Sequence, residues 1–559
     1  MLKKRKHFPQ DFEITDWESL EKEYQKLINY QLDSKSKLVE FWEIVSELEK
    51  IIEDKVAWLY IDMTRFADNP EHRDAFGKFM STIGLNSEKY FFKLKKKFYD
   101  CPFRAELPKE YEHLNKIIAS EMEIFREENI ELSVKEQKLI SRYGEITSKM
   151  TVPFDGEEKT IQQLAMYFED QDRSVRERAW KLTYNRYGQD KKELDDLFDE
   201  LKAIRVQMAK NSGFDNYRDY AHKEKRRFSY TPEDLLKLHQ TVEKIIVPLV
   251  EEFNDERREK LSIDTLRPWD FNVNINGETT KPFLNHQELI EKGIKVLSSV
   301  DSIFGDELKR MQAGGFLDIE NRKGKAPGGY CYPLYDYNSS FIFMHAVGVR
   351  RDVETFMHES GHAMHNMLSK NNSIFQYTNN PSEIAELASM SMELISFDHW
   401  NYFYAPESLA SIRKDEIMNK VKFIPWGVTV DAFQHWLYTN PEHSVAQREE
   451  YFSELLDKFK IGGSWTGLEK EKAMRWMLQL HFFQFPFYYI EYVIAQLGAI
   501  GIYRNYRKDP QQAIKQYKEF LKLGYSKSVD EVYESAGIPF DFSEKYIEDL
   551  MDFVREELK

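Results

Sequence analysis

The sequence predicts a mainly α-helical protein of more than one lobe, with one small β-sheet in its middle third. Three observations carry this. Long segments repeat Leu, Ile and Phe every three or four residues with Lys and Glu between them, the period of amphipathic helices. At 559 residues the chain is too long for a single core of ordinary size. Only one zone, 318–348, joins a Gly-Gly pair and prolines to a run of β-prone residues.

The helices read in order. "ESLEKEYQKLINYQL" (18–32) and "VEFWEIVSELEKIIEDKVAWLY" (39–60) each show one apolar face. "TVPFDGEEKT" (151–160) is punctuation, and a break there divides an N-terminal helical region, 1–155, from the remainder, 156–559. "SVRERAWKLTYNRYGQDKKELDDLFDELKAIRVQMAKNSGF" (174–214) is helical and closes on Asn211-Ser212-Gly213. These are solvated helices with one buried side, not binding elements. A loop-rich zone follows at 262–282, within which Trp269 of "LRPWDF" reads as a buried anchor. The zone 318–348 forms the small sheet, with "SSFIFMH" (339–345) as an edge strand.

The next helix holds the chemistry. In "RDVETFMHESGHAMHNML" (351–368) the apolar Val353, Phe356, Met357, Met364, Met367 and Leu368 recur at helical spacing, with Asp352 as the N-cap. His358 and His362 are four apart, so both imidazoles lie on one face, with Cβ atoms roughly 5–6 Å apart. Two imidazoles so placed can converge on one ion. Glu359 is rotated by about 100° from His358 and reaches a bound water rather than the ion. This is the logic of H-E-x-x-H as zinc site plus general base.

A catalytic zinc site needs a third protein ligand. "YTNNPSEIAELASMSMELISFDHW" (377–400) starts as a helix, with Asn380 as N-cap, Pro381 at the first position and Glu383 three after the cap. Glu386 and Glu393 are two turns apart on one face of an apolar stretch, where a carboxylate is costly unless paired or metal-bound. Glu386 is therefore the third ligand, and Glu393 orients a ligand histidine. Gly361, Ala385 and Ala388 are small enough to let the two helices approach closely.

Further on, "HFFQFPFYYIEYVIAQLG" (481–498) places His481 near Tyr488, Tyr489 and Tyr492, tyrosines at i,i+3 and i,i+4 spacing. Phenols and an imidazole can donate hydrogen bonds to an oxyanion, although an aromatic stripe of this kind is more often core.

Together, "HESGHAMH", the glutamate of "SEIAELASMSME", the preceding "GKAPGGYCYPLYDYNSSFIFMH" and the late His–Tyr segment resemble the oligoendopeptidase F branch of the thimet-oligopeptidase-like (M3) zinc metallopeptidases. The resemblance covers roughly 160–555. It implies a mainly α, two-lobed, zincin-like helical protein with a deep central channel, one zinc ion, and short peptides as substrates. Region 156–559 is then the catalytic region. Zinc ligation carries over to His358, His362 and Glu386, and the base role to Glu359. His365, the third histidine of the motif, joins Glu393 behind the ligands. The transition-state donors correspond to His481 and the tyrosine group. Here the chain departs from the thimet branch, because Pro486 stands where that branch has a tyrosine. The donor is left between Tyr492, favoured, and Tyr489. Gly328, Gly329, His345 and Tyr488 are the expected substrate contacts, the glycines having a plain turn as their other reading.

Bulk composition narrows the partners. Net charge is −16, from 79 basic and 95 acidic residues, which argues against nucleic-acid and membrane-surface binding. The cluster Lys3-Lys4-Arg5-Lys6 reads as a solvated tail. Two cysteines allow no disulfide framework, the N-terminus shows charges without an apolar stretch, and no run of about 18 apolar residues occurs, so a cytoplasmic setting is expected. Two other functions fit the same motif: a zinc carboxypeptidase on a related helical scaffold, and a zinc-containing peptide-binding protein without catalysis.

Overall fold

Amphipathic helices account for most of the chain, as their period predicts. The structure, a computed structural model, describes residues 3–275 and 281–559; part of the loop zone expected at 262–282 lies outside the described residues. In chain order, the elements used below are helix α1 (Lys35–Arg65), the hairpin strands β1 (Thr151–Phe154) and β2 (Glu157–Thr160), and the sheet strands β3 (Leu317–Glu320), β4 (Tyr330–Leu334) and β5 (Ser339–Ala346). Helices α2 (Arg350–Ser369), α3 (Ser382–Ser396), α4 (Pro406–Thr439) and α5 (Tyr489–Lys508) follow. Among the described residues no helix is long and apolar enough to cross a membrane.

Two compact units divide the chain. The first comprises Met1–Met122, Thr280–Arg413 and Ala495–Phe540. It contains the three-stranded sheet, in the order β3-β5-β4. β5 pairs parallel with β3 (Leu317 opposite Ile342) and antiparallel with β4 (Tyr330 opposite Phe343). The expectation that 339–345 is an edge strand is therefore corrected: β5 is the central strand, and β4 forms an edge. The physical reason is topological: β3, from earlier in the chain, adds in parallel to the side of β5 that β4 leaves open, and the burial of Ser339–Met344 on both faces accords with a covered central strand. Side chains alternate as the pleat requires. Tyr330 stacks on Phe343 (ring centroids 4.8 Å) and meets Tyr60 of α1, while Ser340 on the opposite face accepts from Asn366 Nδ2 of α2 at 3.0 Å. The sheet thus lies between α1 and α2.

The basic N-terminus also belongs to this unit: Lys4 and Lys6 are exposed, as a solvated tail requires, but Arg5 is docked. Arg5 makes a two-pronged pair with Asp336 (2.6 and 3.2 Å) and donates to the Phe12 carbonyl at 2.8 Å; Lys6 pairs with Glu43 at 2.7 Å. Local acidic partners decide its fate, and these are remote in sequence.

The second unit comprises Glu123–Thr279, Lys414–Ile494 and Asp541–Lys559. The Pro- and Gly-containing segment at 151–160 is its hairpin, turning through Asp155 and Gly156, both with positive φ. The segment read as one helix from 174 is two, Arg173–Gln189 and Lys191–Asn211, joined at Asp190; the second closes at Ser212 and Gly213 (φ +84°), as the Asn-Ser-Gly signal predicts. Trp269 is buried against Trp180, and the adjacent Asp270 carboxylate, fully buried, takes hydrogen bonds from Arg173 (2.8 and 3.0 Å) and Arg176 (3.0 Å).

Candidate active site

Helix α2 starts at Arg350, two residues before the N-cap expected from the sequence. Asp352 sits in the first turn instead, where its Oδ2 accepts from the backbone N–H groups of Val347 (2.7 Å), Gly348 (2.8 Å) and Val349 (3.0 Å). The carboxylate still satisfies the helix start, from one turn inside it. Helix α3 begins at Ser382 with Pro381 rather than Asn380 in the cap position, and its first bonds run from Ile384 and Ala385 to the Pro381 carbonyl. A proline lacks only an N–H that this position does not need.

α2 and α3 cross at Gly361. A Cβ built there would come within 2.6 Å of the Ser389 Cα and 2.9 Å of the Ala388 carbonyl oxygen. Glycine is thus the residue that permits this approach. The crossing brings Glu386 to the two histidines: its Oε2 lies 3.4 Å from His358 Nε2 and 3.8 Å from His362 Nε2. The imidazoles meet edge to face, 4.9 Å between centroids at 86°. Ser389 Oγ donates to the same Glu386 oxygen at 2.9 Å. Glu393, two turns beyond Glu386 along α3, accepts from His358 Nδ1 at 2.5 Å. That bond holds a proton on Nδ1, so Nε2, which faces Glu386, is the nitrogen left for a metal.

Two imidazole nitrogens and a carboxylate oxygen, converging and backed by a carboxylate behind one ring, form a donor set that fits zinc. The electrostatics follow from the same contacts, and a metal would displace a proton from His358. Against the pull of burial, the Glu393 hydrogen bond and the charges of Glu386 and Glu393 raise the His358 pKa. Burial lowers that of His362 to about 3, with His358 adding to the effect, so the ring is neutral at pH 7 and one of its two nitrogens is free of a proton. Glu359 is buried, and desolvation raises its carboxyl to about 7, opposed by His358 and reinforced by Glu386 and Glu393. A carboxyl poised near neutrality suits a general base.

The remaining expected residues fall as follows. His365 is buried edge-on to Phe520 (6.1 Å), and its Nε2 has no hydrogen-bond partner among the described residues; no bond links it to a ligand. Both ring nitrogens of His345 are occupied, Nε2 by the Ala326 carbonyl (2.6 Å) and Nδ1 by Asn321 Oδ1 (3.0 Å). Gly328 has φ +106° and open space around it, whereas a Cβ at Gly329 would lie 3.4 Å from the Phe343 carbonyl oxygen. Both lead into β4, an edge strand of its sheet.

His481, Tyr488, Tyr489 and Tyr492 assemble as one ring cluster in the second unit. The His481 ring is 4.6 Å from Tyr489 and 6.1 Å from Tyr488, and Tyr492 is 5.1 Å from Tyr488 and 5.7 Å from Tyr489. Gln479 Nε2 donates to His481 Nδ1 at 2.6 Å, so the proton of the neutral ring is on Nε2. Burial lowers the His481 pKa to about 4 and keeps the ring neutral at pH 7, as a donor. Burial raises the Tyr489 phenol, which stays protonated.

Sequence reasoning missed Ser389, which was not singled out within "SEIAELASMSME", and a second buried group. In that group Asp431 Oδ2 lies 2.8 Å from His239 Nε2 and 3.2 Å from His435 Nε2. The i,i+4 spacing of Asp431 and His435 was available as a signal; His239 was not. Unlike His358, His435 has no hydrogen-bond partner for Nδ1 among the described residues, so the group reads as a hydrogen-bonded node.

Comparison with known proteins fits this geometry. A family model described as Peptidase family M3 matches residues 166–552. An oligoendopeptidase F homolog of Lactococcus lactis is 24% identical over 494 residues, spanning 81% of this chain and 77% of the relative. One from Borreliella burgdorferi is 24% identical over 554 residues, spanning 90% and 87%. A crystal structure assigned to oligoendopeptidase F superposes with a TM-score of 0.89 at 25% identity, over 98% of each chain. Pz peptidase A in an inhibitor complex shares the fold, with a TM-score of 0.89 at 24% identity over 98% of each chain.

Proposed function

Because this chain belongs to peptidase family M3, we propose that it is a zinc-dependent endopeptidase that hydrolyses short peptides through an activated water. The observation that carries this reading is the convergence of His358, His362 and Glu386 beside a buried Glu359. The peptidase region is taken as 156–559 and the N-terminal helical region as 1–155, a division supported by the family match over 166–552.

Zinc held by His358 Nε2, His362 Nε2 and Glu386 Oε2 would acidify a water and polarise the scissile carbonyl. Glu359 takes the proton of the attacking water and delivers it to the leaving amine. Glu393 keeps His358 in its ligating tautomer. His481, through Nε2–H, and the phenol of Tyr492 or Tyr489 are the assigned donors to the oxyanion, a contribution whose loss typically costs about 2.7–4 kcal/mol. What supports them is their chemistry: half-buried groups on the family's late motif, with the His481 ring neutral and the Tyr489 phenol protonated at pH 7. The edge strand β4, with Gly328 and Gly329 leading into it, takes the template role first expected of β5, since an extended peptide adds to a sheet edge through main-chain bonds.

The test is incubation of the purified protein with mixed short peptides and one folded protein, with and without a chelator, read by product mass. Internal cuts confined to the peptides, lost on chelation and restored by zinc, are expected. Trimming of single C-terminal residues would replace this reading with a carboxypeptidase. Glu359→Gln should retain zinc and lose turnover; a zinc-loaded Glu359→Gln enzyme that still cleaves would refute the base assignment.

A further inference from the structure

Among the described residues other than glycine, six have a left-handed φ. Five are polar turn residues: Asp155, Arg226, Ser262, Asn338 and Lys460. The sixth is Phe487, apolar and buried, at φ +57°. A bulky L residue holds that conformation only where its surroundings impose it. Phe487 stands immediately before Tyr488 and two residues before the start of α5, which carries Tyr489 and Tyr492. Its backbone therefore sets the direction in which that helix begins.

Two side chains impose the conformation, one on each side of the residue. The Phe487 N–H donates to Gln434 Oε1 of α4 at 2.9 Å. The Phe487 carbonyl accepts from Arg227 Nη2, and the same nitrogen donates to Glu491 Oε1, in the first turn of α5, at 2.8 Å. The Arg227 and Glu491 side chains are almost wholly enclosed, at 1% and 6% exposure. The Phe487 ring packs against Tyr438 (5.5 Å) and His435 (5.7 Å), which accounts for a phenylalanine where glycine would suit the backbone alone. Gln434 is fully buried on α4 beside Asp431 and His435, which are tied to each other, and Asp431 to His239, so the histidine–aspartate node holds the helix segment that carries it.

We propose that Arg227 and Gln434 are positioning residues of the peptidase: they hold Phe487 left-handed and so aim the phenols of Tyr489 and Tyr492. The inference rests on the reading above that these phenols serve the transition state. Neither residue needs to touch the substrate.

Arg227→Lys and Gln434→Met are made in the full-length enzyme and again in a Tyr489→Phe/Tyr492→Phe background. For each, kcat, KM, zinc content and thermal unfolding are measured. In the parent enzyme kcat should fall on the order of 10–100-fold, the scale of a displacement near 1 Å. KM should change less than kcat, within about threefold, because the phenols being aimed are assigned to the transition state. Zinc should remain at one per chain. In the phenol-free background the same changes should lower kcat by no more than about twofold, since the groups they aim are gone. Equal losses in both backgrounds, or losses matched by lost zinc or folded protein, would mean a merely structural role and overturn the proposal. If Arg227→Lys does not fold, Gln434→Met, which removes one neutral acceptor, decides alone. Failure of the underlying reading looks different: Tyr489→Phe/Tyr492→Phe would keep parental kcat while Glu359→Gln is inactive, and the proposal would fall with it.

Discussion

Replacing Gly361 with alanine tests whether the crossing of α2 and α3 sets the geometry of the metal ligands. The added methyl would meet the Ser389 Cα at 2.6 Å, the Ala388 carbonyl oxygen at 2.9 Å and the Met392 Cβ at 3.1 Å. The two nearest are backbone atoms and cannot swing aside. Restoring an ordinary carbon–carbon separation of about 3.5–4.0 Å requires the helices to part by about 1 Å. Helix α3 is not free to shift, because Tyr517 OH donates to the same Ala388 carbonyl at 2.7 Å and Tyr533 OH to the Glu383 carbonyl at 3.0 Å. Overpacking of this kind costs about 1–3 kcal/mol of stability. The metal site is more sensitive, since ligand distances must hold within about 0.2 Å. Glu386 moves with α3 while His358 and His362 stay on α2, so zinc affinity should fall by at least about tenfold, the lower range for a disturbed ligand support. Competition with a calibrated chelator measures the affinity, and peptide cleavage at limiting zinc follows it. Gly144→Ala, at a helical glycine with nothing near its Cβ, is the control and should leave zinc binding unchanged. A Gly361→Ala enzyme with parental zinc affinity would refute the claim that this contact fixes the ligands.

Three further outcomes are expected. Glu393→Ala removes the acceptor behind His358 and should weaken zinc binding about 10–100-fold while leaving Glu359 in place, read by the same chelator competition. Asp270→Asn leaves the enclosed Arg176 guanidinium without its anionic partner and should cost about 3–5 kcal/mol in urea unfolding, with zinc content per folded chain unchanged. Glu49 supplies a pH test: burial raises its carboxyl from 4.5 to about 8, opposed by the Tyr24 hydrogen bond. The folded state then holds the proton more tightly than the unfolded chain, so stability falls as pH rises from about 4.5 to about 8. Glu49→Gln, which keeps an acceptor for Tyr24, should flatten that slope; an unchanged slope in urea titrations across this range would discount the burial of Glu49 as its source.

Some of this was written in short stretches of sequence. The 3.6-residue period fixes which side chains share a helix face, so His358 with His362, and Glu386 with Glu393, could be paired before any fold was known. The Asn211-Ser212-Gly213 stop and the Asp155-Gly156 turn are equally local, because the backbone conformation they need depends on the residues themselves. The small residues around Gly361 announced a close helix approach, although not the atoms that would collide. Other features depended on partners distant in the chain, and local pattern carried no trace of them. β5 lies in the middle of its sheet because β3 joins it in parallel, a pairing set by topology rather than by the residues 339–345. Arg5 is docked because Asp336 happens to face it, 331 residues away. Phe487 is left-handed because Arg227 and Gln434 grip it from elsewhere in the chain, and no rule of local preference would place a phenylalanine there. Helical spacing determined which chemical groups stand together; only the tertiary structure decided what holds them in place, since that depends on contacts whose sequence separation carries no period.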